Sequence, residues 1–130
     1  NEAVELKVNV PENDVFVFAN ADKLKQIIIN LLSNSFKYTK EGSVEISIVE
    51  KENTVEMVVS DTGIGIPNED KERVFERFYR VDKARNRKTG GTGLGLAIVK
   101  HLVEMLNGTI HLESKLEVGT KITVVFKKSE

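Results

Sequence analysis

Cysteine is absent from this sequence of 130 residues. That excludes disulfides, thiolate zinc sites and cysteine nucleophiles, and it fits a cytosolic protein. Net charge is nearly absent as well: 19 Lys and Arg against 20 Asp and Glu leave −1. The chain therefore lacks the global basicity of a general nucleic-acid binder. No apolar run approaches the ~20 residues that cross a bilayer. The opening Asn1-Glu2-Ala3-Val4 is no signal peptide. It also lacks a starting Met and runs directly into strand-like sequence, so the chain reads as a fragment of something longer. What is present is globular in character. With 40% hydrophobic and 30% charged residues it is not a disordered tail. Its length suits one domain over residues 1–130, able to take about two-thirds of its unfolded surface out of water.

Hydrophobic periodicity divides the chain. Residues 4–9 alternate apolar and polar, predicting a half-buried strand, and 15–18 read as a second one after a turn at Pro11 and Asn13-Asp14. From Asn20, an expected N-cap, the period lengthens: Leu24, Ile27, Ile28, Leu31, Leu32 and Phe36 predict an amphipathic helix over 21–37. Strands follow at 43–50 and 54–60, joined as a hairpin through Lys51-Glu52-Asn53. A short helix is expected from Asn68 to about Phe78, and a longer one over 94–106, stopped by Asn107-Gly108. Strands at 109–114 and 120–126 flank a turn at Glu117-Val118-Gly119. Paired strands alternating with helices predict an α+β fold. Its form would be a two-layer α/β sandwich, with a mixed, mostly antiparallel sheet and helices on one face.

Four segments stand out from that scaffold. Asn30, Asn34 and Lys37, with Tyr38 just beyond, share one side of helix 21–37. This is either a solvated face or a site, because amide oxygens suit a hydrated Mg²⁺ and a lysine suits phosphate. Asp61-Thr-Gly63-Ile-Gly65-Ile66-Pro67 ends a strand; it is either an ordinary turn or a carboxylate set to accept an exocyclic amine beside glycines that admit a flat ring. Gly90-Gly-Thr-Gly-Leu-Gly-Leu96 runs into a helix and offers unpaired amides to an anion. It is neither a Walker loop nor a dinucleotide fingerprint, and a flexible linker is the bland alternative. Before it, Arg77, Arg80, Lys83, Arg85, Arg87 and Lys88 face only Asp82. Such a run is usually just solvated, yet next to an anion site it suits a lid over phosphates.

Together and in this order, the segments resemble the ATP-binding catalytic domain of bacterial sensor histidine kinases, within the superfamily of type II topoisomerases, Hsp90 chaperones and MutL proteins. The resemblance spans about residues 15–126. Asn30-Leu-Leu-Ser-Asn34-Ser-Phe-Lys37-Tyr38 is similar to the N box and Asp61-Thr-Gly-Ile-Gly65 to the G1 box. Phe75-Glu-Arg-Phe78-Tyr-Arg80 is similar to the F box and Gly91-Thr-Gly-Leu-Gly-Leu96 to the G2 box.

The resemblance implies the Bergerat ATP-binding fold, Mg-ATP as ligand and a set of roles. Asn34, with Asn30, would hold Mg²⁺, Lys37 would meet a phosphate and Tyr38 would stack near the adenine. Asp61 would accept the adenine amine, with Gly63, Gly65 and Ile66 against the ring and Leu96 beneath it. Arg80 would steady the transferring γ-phosphoryl group, so Arg80, Lys37 and Asn30 are assigned to the transfer. Gly91, Thr92, Gly93 and Leu94 would bind phosphate oxygens, and Lys88 belongs to a lid over about 81–92. Asn30 stands where ATP-hydrolysing relatives are expected to carry a glutamate, and an amide cannot activate water. That points to the kinase branch.

The implied acceptor is a histidine on a separate, N-terminal helical dimerisation domain, with a response-regulator receiver domain downstream in two-component signal transduction. His101 and His111 read as structural or surface residues. This chain should then bind Mg-ATP without phosphorylating itself, as a monomer. It would be the cytoplasmic part of a parent anchored in the cell membrane, with no nucleic-acid partner. An anti-sigma-type protein-serine kinase and a non-catalytic nucleotide-sensing module are the alternatives.

Overall fold

Apolar alternation in the strands and a three-to-four repeat in the helices build two layers. The computed structural model describes residues 4–9, 21–39, 41–71, 73–76 and 95–127. The expected strand at 15–18, the cap Asn20 and the lid lie outside the described residues. So do site residues Arg80, Lys88, Gly91, Thr92, Gly93 and Leu94.

Five strands, β1 (Val4–Asn9), β2 (Gly42–Glu50), β3 (Thr54–Asp61), β4 (Thr109–Lys115) and β5 (Gly119–Lys127), form one sheet in the order β1-β2-β3-β5-β4. β1 pairs parallel with β2, and the other neighbours are antiparallel. The sheet is therefore mixed and mostly antiparallel, as expected. Two α-helices, α1 (Ala21–Tyr38) and α2 (Gly95–Met105), pack against one another and against one face of the sheet.

The helix period decides what α1 buries. Ile27, Leu31, Ser35 and then Thr39 recur every four residues and are buried, while Leu24, Ile28, Leu32 and Phe36 flank the core. From the sheet come Val44, Ile46, Met57, Val59, Ile122, Val124 and Phe126; α2 adds Val99, Leu102 and Val103. Each fully buried side chain of this size contributes about 1.5–3 kcal/mol relative to exposure. α2 stops as the sequence suggests. Asn107 takes φ 61°, the Asn107 amide donates to the Glu104 carbonyl at 3.0 Å, and the Gly108 amide donates to the Val103 carbonyl at 2.9 Å. These bonds satisfy carbonyls that the helix end would leave open.

Two expectations need correction. β1 is not half-buried: only Val4 is covered, and Leu6 and Val8 are 47% and 62% exposed. Their alternation is correct for a strand, but β1 is an edge, and the helices lie over β2, β3 and β4. Among the described residues from Asn68 to Glu76, no α-helix forms; residues 77 and 78 of the expected helix lie outside them. Asn68–Asp70 is a single 3₁₀ turn opened by Pro67, with no side-chain cap. The Arg73 and Glu76 amides continue the three-residue spacing by donating to the carbonyls of Asp70 and Arg73. The three-residue bonds satisfy these amides with a tighter turn than an α-helix, a common form for a short stretch after a proline.

Candidate functional site

Site residues converge where the helix-facing rows of the sheet turn polar. On β3 the buried sequence Val55, Met57, Val59 ends in Asp61, and on β5 Phe126, Val124, Ile122 ends in Thr120. On β4 the half-buried Ile110 and Leu112 are followed by Ser114. Register sets Asp61 opposite Thr120, and Thr120 opposite Ser114. Three neighbouring strands thus finish in a row of one carboxylate and two hydroxyls.

Asp61 is half-buried and closely held. Its Oδ1 accepts from the Gly63 amide at 2.9 Å and from the Thr120 amide at 3.3 Å. The Ser35 hydroxyl, carried on the buried stripe of α1, also bonds its side chain. Burial nevertheless pushes the carboxyl above its ordinary value, outweighing the hydrogen bonds from Gly63, Ser35 and Thr120, which act to lower it. A carboxylate kept partly from water at a strand end is an acceptor poised for a donor brought by a ligand.

The loop after Asp61 is pinned between α1 and the β4–β5 hairpin. The Ile64 amide donates to the Tyr38 carbonyl at 3.2 Å, and the Glu117 amide donates to the Ile64 carbonyl at 2.6 Å. The Ile66 amide donates to Ser114 Oγ at 2.8 Å, and Ile66 is buried. Gly65 and Gly119 make these crossings possible. Gly65 has φ 72° and its Cα faces the Lys115 carbonyl, while Gly119 has φ 149° and faces the Asp61 carbonyl. Neither place has room for a Cβ, and both backbone conformations disfavour one. Gly63 lies against the Tyr38 carbonyl and Thr39 Oγ1. Thr39 is buried, and its hydroxyl has no hydrogen-bond partner among the described residues.

On α1, Asn30 and Asn34 are half-buried, one turn apart, with Tyr38 a further turn on and Lys37 exposed in the last turn. The Asn30 side-chain amide donates one N–H to the Gln26 carbonyl at 2.8 Å, which orients the group and leaves its carbonyl oxygen as acceptor. Among the described residues no cluster of three His, Asp or Glu could hold a metal alone. Among the described residues a divalent cation therefore fits best with a ligand that brings anionic oxygens, as magnesium-phosphate sites do. Neutral amide oxygens on α1 suit that arrangement.

An open cavity of about 290 Å³ adjoins the loop, lined by Tyr38, Glu41, Thr62, Gly63, Ile64 and Glu117. Its carboxylates, Glu41 and Glu117, make it unsuited to a polyphosphate. Leu96 sits on the first turn of α2 and packs at the core margin. His101 and His111 are exposed, as expected of surface residues.

The structure thus brings Gly63 against the end of α1 at Tyr38, ties Asp61 to Ser35 of the same helix, and seats Gly65 and Ile66 on the β4–β5 hairpin, while Asn30, Asn34 and Tyr38 align along α1. Sequence reading missed Ser35, Thr39, Ser114 and Thr120. A signal existed for each. Ser35 and Thr39 fall on the Ile27–Leu31 repeat, where a polar residue needs a partner. Ser114 and Thr120 interrupt apolar alternation next to a turn.

Comparison with known proteins agrees. Residues 19–130 match the family model of the histidine kinase-, DNA gyrase B- and HSP90-like ATPases. The sensor histidine kinase WalK of Bacillus subtilis is 46% identical over 98% of this chain, and the sensor-like histidine kinase SenX3 of Mycobacterium tuberculosis 46% over 95%. The matches span 21% and 30% of those relatives' lengths. Among solved structures, the mycobacterial sensor histidine kinase MprB superposes with a TM-score of 0.84 at 31% identity, covering 98% of this chain and 85% of that one. Full-length ShkA in complex with AMPPNP gives 0.81 at 28% identity, over 98% of this chain and 27% of that one. A family model matched over most of the chain, with close sensor-kinase relatives and the same fold, settles the affiliation: this chain belongs to the histidine kinase-, DNA gyrase B- and HSP90-like ATPase family.

Proposed function

We propose that the chain binds Mg-ATP and donates its γ-phosphoryl group to a histidine on a separate helical dimerisation domain, from which a response-regulator receiver domain takes it. The observation that carries this reading is the half-buried Asp61 carboxylate, gripped through Oδ1 by the Gly63 and Thr120 amides. Adenine's exocyclic amine is a donor that such an acceptor recognises, and guanine presents a carbonyl there. Ile66 and Leu96 supply apolar surface for the ring, and Tyr38 an aromatic neighbour.

Asn34 and Asn30 would hold Mg²⁺, which when bound neutralises charge on the triphosphate. Lys37 adds a point charge for a phosphate. Arg80 would act on the transferring group, Gly91, Thr92, Gly93 and Leu94 would bind phosphate oxygens, and Lys88 would belong to a lid over them. Asn30 provides no general base on α1, so water is not activated and ATP is kept for an external nucleophile. Transfer then depends on positioning and electrostatic stabilisation, with the nucleophile supplied from outside this chain. The crystallised relative carrying AMPPNP supports nucleotide as the ligand. The parent protein is proposed to be a sensor anchored in the membrane, with this unit in the cytoplasm; none of the described helices is long and apolar enough to span a bilayer.

The test supplies a histidine-bearing helical hairpin from a sensor kinase in trans with γ-labelled ATP. Acid-labile, base-stable label on the hairpin is expected. Acid-stable label on a serine would move the chain to the serine-kinase branch, and binding without any transfer would make it a nucleotide-sensing module.

A further inference from the structure

Ser114 lies on β4, opposite Thr120, where the apolar rows end. Its hydroxyl makes three contacts. The Ile66 amide donates to it at 2.8 Å, Gly119 O lies 3.0 Å away, and Thr120 Oγ1 lies 2.8 Å away. A hydroxyl has one proton and two lone pairs. Donation to the Gly119 carbonyl, with acceptance from the Ile66 amide and the Thr120 hydroxyl, uses all of them. The group is saturated, and the three residues it joins belong to two separate segments, the loop after β3 and the mouth of the β4–β5 hairpin.

Through those segments Ser114 reaches two of the residues assigned to the base. Ile66 is tied to Ser114 directly. Asp61 is tied through Thr120, whose amide donates to Oδ1 at 3.3 Å and whose hydroxyl meets Ser114. We propose that Ser114 is a positioning residue for base recognition: its hydroxyl fixes the spacing between the Asp61 carboxylate and the Ile66 backbone. The proposal rests on the assignment of that corner to adenine. Alanine at 114 would leave the Ile66 amide and the Gly119 carbonyl without their partner and let the loop drift from the hairpin.

Titration of the intact chain and of Ser114→Ala with ATP, GTP and inorganic triphosphate, each with Mg²⁺, separates the outcomes. The variant is expected to lose about tenfold in ATP affinity, as follows from losing one or two hydrogen bonds. The ATP-to-GTP ratio should fall with it, while triphosphate binding stays unchanged. Ser114→Thr, which keeps the hydroxyl, should restore the ratio, and Ser114→Val, of the same shape, should not. A variant that melts earlier yet keeps its ATP-to-GTP ratio would show that Ser114 serves the fold alone and overturn the proposal. Equal binding of ATP and GTP by the unaltered chain would instead overturn the adenine assignment itself. Amide exchange in the unaltered chain gives an answer even if the variants do not fold. Protection of Ile66 before nucleotide is added is expected, and free exchange there until ATP binds would contradict a pre-set spacing.

Discussion

Thr120 and Asp61 face one another across β5 and β3, and the Thr120 amide also donates to the Asp61 side chain at 3.3 Å. The carboxylate is thus aimed by the sheet itself as well as by the loop that follows it. Asp61→Asn keeps the size and one acceptor oxygen but no longer offers a carboxylate to an amine. ATP affinity should fall about 10- to 100-fold, the range for a hydrogen bond to a charged group, and preference over GTP should relax. Competition titration checks it, and unchanged binding of both nucleotides would contradict the role.

The same residue should make stability depend on pH in a defined direction. Burial raises the Asp61 carboxyl above 3.8 in the folded chain, so the folded state holds that proton more tightly than the unfolded one. Its contribution is fully present below 3.8 and is lost as pH rises through the raised value. Asp61→Asn lacks this titration. The stability of the parent minus that of the variant should decline as pH rises from about 3.8 upward. Chemical denaturation of both proteins at several pH values measures that difference.

The five described strands, the helices α1 and α2 and the stop at Asn107 were legible because local periodicity and turn chemistry specify them. Asp61, Gly63 and Gly65 were legible because two glycines and a proline after a strand are costly unless something needs them. Burial of β1 was not legible: alternation reports which face a side chain takes, not whether a helix lies over it, so a half-buried strand was expected where Leu6 and Val8 are exposed. The segment after Pro67 was misread because composition alone does not separate a 3₁₀ turn from an α-helix of the same few residues. The Ser114–Ile66 bond joins positions 48 apart, and only the tertiary fold brings them together.

Gly65→Ala and Gly119→Ala should each destabilise the chain by more than about 1 kcal/mol, because a Cβ meets a carbonyl at a backbone angle that already disfavours it. Both should also weaken ATP binding, since each holds the loop against the hairpin. Thermal melts with and without nucleotide test this. Leu31→Ala, in contrast, should cost about 2–5 kcal/mol by opening a cavity in the core.

On α1 two substitutions should act differently. Asn34→Asp should alter the Mg²⁺ dependence of binding more than affinity without metal, and an unchanged metal requirement would count against Asn34 as a ligand. Asn30→Glu puts a carboxylate where hydrolytic relatives are expected to have one. Background ATP hydrolysis should rise by at least about tenfold, a modest fraction of what a positioned general base supplies. Phosphate release assays read it directly.

Calorimetric titration of the chain with ATP, with and without Mg²⁺ and with GTP as control, is the most direct measurement. Binding that selects adenine and strengthens with Mg²⁺ is expected from Asp61 and from the two asparagines of α1. Absence of binding, or equal binding of ATP and GTP indifferent to the metal, would contradict a Mg-ATP site built on these residues.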